Sequence, residues 1–163
     1  KLMRHTVRQA LAPAMRAASS SVASMASRAG WMNRNSTGAD CAAIFSGNDD
    51  AFWDGRENVG ADVFNINMGA LQTWANGNSV RDYSIVYVTF TNVNAGNVLQ
   101  DYPVVRISNG ATLRWPVTVS TDRPMYVWGN YNTVGWQPAS FIADAVTFLS
   151  PVWTDAAHAV GRR

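Results

Sequence analysis

PVVRISNGATLRWPVTVSTDRPMYVW, residues 103–128, is the stretch that decides the fold. It contains three short runs, at residues 104–107, 117–119 and 125–128, whose β-branched and aromatic side chains favour strands. Segments rich in Asn, Gly, Asp and Pro separate these runs, and those residue types favour turns. The stretch therefore predicts a mainly β fold.

Similar runs flank this stretch. They lie at residues 85–90, 141–143 and 145–149. Strong strands recur about every twenty residues, with Tyr87, Val105, Val127 and Val146 at comparable places. This spacing is typical of a β-solenoid, in which successive coils stack and bury a continuous core. We predict a short right-handed β-helix, and the alternative is an antiparallel β-sandwich, whose strands also recur at short intervals.

The N-terminal segment has the pattern of an amphipathic helix over about residues 6–29. Its apolar residues recur at spacings of three and four, and the candidate interface consists of Val7, Leu11, Met15, Val22 and Met25. Pro13 starts or kinks the helix, and Gly30 ends it. We expect this stripe to pack on the body or on a neighbouring subunit, and the alternatives are a transit peptide or a membrane-surface helix.

These patterns divide the chain into four parts. Residues 1–30 form the N-terminal helix, 31–82 a connecting region, 83–155 a stacked β domain and 156–163 a C-terminal tail. Within the connecting region a short helix is predicted near residues 67–75, with Asn67 as its cap.

Composition excludes several classes of function. Of 163 residues only 15% are charged, and the net charge of +2 arises from an N-terminal segment with no acidic residue before Asp40. We therefore expect no nucleic-acid binding, which usually needs a basic stripe across a folded face. No apolar run reaches the ~18 residues of a transmembrane helix, and the single Cys41 excludes a disulfide within the chain. Because the chain begins at Lys1 without Met and stops at Arg163, we expect a fragment or a processed product.

Residues 113–133 contain a Thr- and Val-rich strand followed by Asp-x-Pro-x-Tyr-Val-x-Gly-x-Tyr-Asn, which begins at Asp122. This phrase resembles the PilX-like proteins, exported bacterial proteins associated with type IV pilus assembly. Residues 138–150 with Trp153, and residues 52–57 with Leu71-x-x-Trp74, resemble neighbouring segments of that group. The resemblance covers about residues 50–155 and implies an extracellular or cell-envelope location in a bacterium. Full-length members carry a membrane anchor upstream and further sequence downstream, and their activity is undefined.

Catalytic and metal-binding motifs are not evident in the sequence. His5 and His158 lie at opposite ends of the chain without ligands at metal-binding spacing, so we expect no metal and no cofactor. Asp54, Glu57 and Asp144 are the carboxylates that glycoside hydrolysis would use. We instead expect Arg56 to pair with Asp54 and Glu57 in a turn, and Arg106 or Arg123 to pair with Asp144.

Four aromatic residues, Tyr126, Trp128, Tyr131 and Trp136, form the candidate aromatic binding face. They are a platform for sugars or proteins where exposed and core where buried. The function that these observations favour is a non-catalytic structural or assembly component of an extracellular or envelope structure, filamentous or associated with pili. The expected partners are copies of the chain or other assembly subunits. The alternative is a carbohydrate-binding or carbohydrate-cleaving β-helix protein, with polysaccharide as its ligand.

Overall fold

A computed structural model of the chain describes residues 38–77, 84–90 and 102–159. The predicted helix over residues 6–29 lies outside the described residues. The same holds for its candidate interface, formed by Val7, Leu11, Met15, Val22 and Met25.

The described part is mainly β, as predicted. In its first part are α1 (Gly38–Ile44), β1 (Phe45–Asp54), β2 (Val59–Asn67) and α2 (Met68–Gly77). Short strands follow: β3 (Ser84–Val88), β4 (Pro103–Ser108), β5 (Gly110–Thr112), β6 (Val117–Thr121), β7 (Met125–Trp128), β8 (Tyr131–Val134), β9 (Ala139–Ile142) and β10 (Val146–Leu149). A 3-10 helix, η1 (Asp155–His158), comes last.

The strands form three sheets. The first sheet has the order β1-β2-β4-β7-β10, the second β3-β6-β9 and the third β5-β8. From β4 onward the chain passes through the first, third and second sheets, and it repeats this order from β7 to β10. Among the described strands only β1 and β2 pair antiparallel, and all other neighbours are parallel. An antiparallel sandwich is therefore wrong for this part of the chain.

The register of the first sheet aligns apolar side chains in two inner rows. The first inner row contains Phe64, Val105, Met125 and Val146, and the second contains Ile66, Ile107, Val127 and Phe148. Side chains two apart on a strand share a face, so both rows point to the same side of the sheet. Val86 and Val119 of the second sheet belong to the same core, which lies between the sheets.

The predicted recurrence places Val105, Val127 and Val146 in the first sheet, but it is two residues out of register at Val127, and it is wrong outside that sheet. Val105 and Val146 both align with Met125, two residues before Val127. Tyr87, however, lies in β3 and pairs with Ser120 of the second sheet. Apolar runs from different sheets have the same composition, so spacing alone did not separate them.

The region 31–82, predicted to be a connection, contains the two longest described strands, β1 and β2. β1 was taken for a loop because Ser46, Asn48, Asp49 and Asp50 give it a polar composition. These four side chains are exposed along the edge of the sheet, where polar residues are compatible with a strand. β2 continues the sheet inward, beside β4.

Helix α2 covers one end of the core. Asn67 caps it, because its Oδ1 accepts a hydrogen bond from the Ala70 N–H at 3.1 Å. Met68 and Leu71 are buried in the core, and Gln72 Oε1 accepts from the Arg114 N–H at 2.7 Å. α2 therefore packs beside β5, at the end of the third sheet opposite β8.

The chain leaves the sheets after β10. Trp153 packs edge-on against Phe52 of β1, with ring centroids 5.7 Å apart. Arg106 of β4 donates from Nη1 to both carboxylate oxygens of Asp155, at 2.7 and 2.8 Å. The end of the predicted β domain is thus fixed to the outer side of the first sheet, and the chain does not continue into another strand of the third sheet within residues 150–159.

Candidate assembly surface

The three strands β8, β9 and β10 lie side by side at one end of the described fold. Each is the last strand of its sheet, so among the described strands each has a neighbour on one side only. No other described strand pairs with the outer backbone N–H and C=O groups of β8, β9 and β10, and such groups can pair with an added strand. We call this surface, residues 131–149, the open end.

At the open end, the last side chain of each inner row is exposed. Phe148 is 69% exposed, whereas Ile107 and Val127 in the same row are 0% exposed. Val146 is 38% exposed, whereas Val105 and Met125 are 0% exposed. Because the side chains face the same side of the sheet, the difference arises from the absence of a covering strand on β10 within the described residues.

Exposed apolar residues concentrate at and beside the open end. The large ones between residues 131 and 152 are Val134, Trp136, Ile142, Val146, Phe148 and Val152. Between Tyr126 and Trp153 the only charged residue is Asp144. Edge strands are commonly protected by charged side chains, and this end has almost none.

The opposite edge of the first sheet, β1, carries such protection. Its register shifts between Asn48 and Phe52, and Asp50 lies there in the left-handed region with φ 47°. The Asp50 N–H donates to Asp62 Oδ1 at 2.9 Å, so the bulge is fixed to the neighbouring strand. Bulges of this kind interrupt the regular edge that an added strand would need.

The four candidate aromatic residues occupy different surroundings. Tyr126 and Trp128 belong to an apolar cluster on the outer side of the first sheet, where Tyr126 is buried and Trp128 is partly buried. Tyr131 packs instead against the inner core, with its ring centroid 4.8 Å from that of Phe141. Trp136 is 74% exposed in the connection after β8. The structure therefore brings Tyr126 and Trp128 together and separates them from Tyr131.

The buried tyrosine hydroxyls are held in their neutral form. Burial, and next the hydrogen bond to Asp54, raise the pKa of Tyr126 well above its ordinary value. Burial alone raises the pKa of Tyr131 to about 12. Neither hydroxyl is a candidate base near neutral pH.

The carboxylate of Asp54 is fully engaged in a structural turn. Its Oδ1 accepts from the N–H groups of Arg56 at 2.9 Å and Glu57 at 3.4 Å, and its Oδ2 accepts from the Tyr126 hydroxyl. Arg56 lies 3.0 Å from Glu57 and 3.9 Å from Asp54, which confirms the predicted pairing. This arrangement fixes the end of β1 to β7 and leaves Asp54 unsuited to proton transfer.

Arg106 or Arg123 was predicted as the partner of Asp144, and for Arg106 this prediction is wrong. Arg106 pairs with Asp155 at 2.7 Å and lies over the Trp128 ring, 5.0 Å from its centroid. Asp144 is exposed and needs no buried counter-charge. The interaction with Asp155 was missed because Arg106 and Asp155 lie 49 residues apart within the predicted β domain.

Within the described ranges, no three His, Cys, Asp or Glu side chains are grouped as a metal site would require. In the same part of the chain no helix is long and apolar enough to cross a membrane. No protein-family model, curated protein or solved structure matches this chain.

Val146 and Phe148 are the functional candidates that sequence reasoning missed. The sequence placed them in a strong strand, which implied burial. The available signal is the recurrence itself, because among the described strands the last member of a repeated position has no following strand to cover it.

Proposed function

We propose that this chain is a non-catalytic structural or assembly component of a bacterial extracellular or envelope structure. In this proposal β4 to β10 are successive coils of a short right-handed β-helix, and the open end receives a strand from an assembly partner. The resemblance to PilX-like proteins supports the location and the association with pili. The single observation that carries the proposal is the exposure of Phe148 at the end of a row whose other members are buried.

Two kinds of interaction favour strand addition at this surface. An added strand would satisfy the outer N–H and C=O groups of β10, which are otherwise left to water. It would also cover Val146 and Phe148, and removing apolar area from water contributes about 25 cal/mol per Å². Both contributions come from the same strand, so one partner segment provides affinity and register together.

The charge distribution supports an assembly role over a catalytic one. Asp54 and Glu57, the best-placed carboxylates, are occupied by Arg56 and by backbone donors. Of the four candidate aromatic residues only Trp136 is exposed, since Tyr126 is buried and Trp128 and Tyr131 are partly buried. One exposed ring of this set gives little of the stacking surface that the carbohydrate-binding alternative needs.

Site-specific photo-crosslinking in the producing bacterium tests the proposal. A photoreactive phenylalanine analogue at position 148 should give one defined covalent adduct, identified by mass spectrometry. The matched control is the same analogue at Val152, which is 86% exposed but lies beyond β10. The proposal is wrong if position 148 gives no adduct that position 152 lacks, because the open end would then have no specific occupant.

A further inference from the structure

We infer that the occupant of the open end is a second copy of this chain, bound through its own open end around a twofold axis. This inference rests on the proposed function, because it names the partner of the same surface. Its carrying observation is the composition of the open end, which is apolar, nearly uncharged and edged by free strands. These properties make the surface complementary to itself.

Charge is the first argument for self-association. In a twofold contact every charged group meets the copy of the same surface, so a charged patch would repel itself. Between Tyr126 and Trp153 only Asp144 carries a charge. A contact between two open ends therefore sets few like charges against each other, whereas a contact between two β1 edges would bring Asp49 and Asp50 of both copies together.

Apolar complementarity is the second argument. Val146 and Phe148 need an apolar cover, and the same two side chains of a second copy provide one. Both residues lie on β10, so we place the axis beside this strand. An axis perpendicular to the strand reverses its direction, and β10 of the two copies then pairs antiparallel.

The covered end of the core excludes the main competing arrangement. Head-to-tail stacking would place the open end of one copy on the end where α2 lies. There Met68 and Leu71 are already buried, and Gln72 is bonded to the backbone of Arg114. Stacking would require the displacement of α2, so the contact closes on itself and gives a pair of chains, with no extension through this surface.

Sedimentation velocity of the full chain tests this inference. The wild-type chain should sediment as a concentration-dependent dimer, and Phe148→Asp should raise the dissociation constant by at least about tenfold, as expected for a central interface residue. Val152→Asp, which adds the same charge outside β10, should leave the dissociation constant within about twofold. Circular dichroism checks that both variants keep their β structure.

Cysteine crosslinking tests the twofold symmetry. In a Cys41→Ser background, Thr147→Cys places one thiol on β10, and oxidation should join two copies through the same position. Val152→Cys is the accessible control and should remain uncrosslinked.

The outcomes separate the two proposals. In one outcome the chain stays monomeric at all concentrations while position 148 crosslinks in cells to a different protein. This result overturns the inference that the occupant is a second copy, and it leaves the assembly role intact. Oligomers that grow beyond two chains overturn the twofold contact. Absence of any specific adduct at position 148 overturns both.

Discussion

The two edges of the first sheet are built in opposite ways. β1 has ten residues, a bulge between Asn48 and Phe52 and two adjacent acidic residues, and its outer side contacts η1. β10 has four residues in regular register with β7 and carries no charged side chain. The β1 edge is thus protected against further pairing, whereas β10 has the features of an interior strand. The partner that we propose would complete the sheet at this edge.

The largest expected effect is on the free energy of unfolding, and it appears when two residues of the second inner row are compared. Ile107→Ala should lower the free energy of unfolding by about 2–5 kcal/mol, because it leaves a cavity among fully buried side chains. Phe148→Ala should lower it by less than about 1 kcal/mol under conditions where the chain is monomeric, since most of the ring is already exposed. Urea denaturation of both variants measures the difference. Similar losses for the two would show that Phe148 is covered within a single chain, which would break the comparison.

The position of the end of β1 also depends on the hydrogen bond between Tyr126 and Asp54. Tyr126→Phe should lower the free energy of unfolding by about 1–3 kcal/mol, because it removes a donor from a buried carboxylate. A change well below this range would mean that the end of β1 is not fixed through this contact. The measurement is urea denaturation near neutral pH.

The contribution of Tyr126 to the free energy of unfolding depends on pH, and the raised pKa fixes the direction of this dependence. The pKa of Tyr126 is raised on folding, so the protonated hydroxyl contributes stability that is fully present below pH 10 and is lost as the pH rises above it. The wild-type free energy of unfolding should therefore fall above pH 10, and Tyr126→Phe should show a shallower fall. Tyr131, whose pKa is raised to about 12, and Tyr102, whose pKa is raised by burial, contribute to the part that remains.

The C-terminal segment that packs on β1 should loosen when the ion pair between Arg106 and Asp155 is removed. Asp155→Asn takes the counter-charge from Arg106 and should lower the free energy of unfolding by about 1–2 kcal/mol, since the pair is only partly buried. Limited proteolysis should then cut the C-terminal segment faster, while cleavage within β4 to β10 stays slow. Unchanged proteolysis would show that the packing of Trp153 on Phe52 is sufficient to hold the segment.

The smallest expected effect concerns the acidic residues of β1. Asp49→Asn with Asp50→Asn should change the free energy of unfolding by less than about 0.5 kcal/mol, because both side chains are exposed. Asn also tolerates the left-handed conformation of Asp50. We expect no new association in sedimentation, because the bulge remains. Association through β1 in this variant would show that charge alone had blocked this edge.

Much of the fold follows from local sequence patterns. β4, β6 and β7 were identified because their β-branched and aromatic runs reflect burial in the first sheet or in the core. β10 was identified because its run has the same residue types, although Val146 and Phe148 are exposed. β5 and β8 were missed because they lie in segments of Gly, Asn and Thr that also favour turns. At Gly110 the absence of a side chain is required, since a Cβ there would overlap the ring of Tyr131 on the next strand.

The assembly surface was predictable only in part. The sequence predicts open β edges that pair with copies, but it does not locate them, because exposure depends on which strand is last in its sheet. The aromatic residues illustrate the same limit. Tyr126 is buried and bonds to Asp54, which lies far from it in the sequence, whereas Trp136 is exposed to solvent. Local sequence does not show this difference.

Hydrogen exchange at increasing protein concentration tests the central claim most directly. The account predicts that backbone amides of Val146–Leu149 become more protected as the concentration passes the dissociation constant, while amides of β1 do not change. Exchange in β10 that is independent of concentration, or protection that increases in β1 instead, would contradict it.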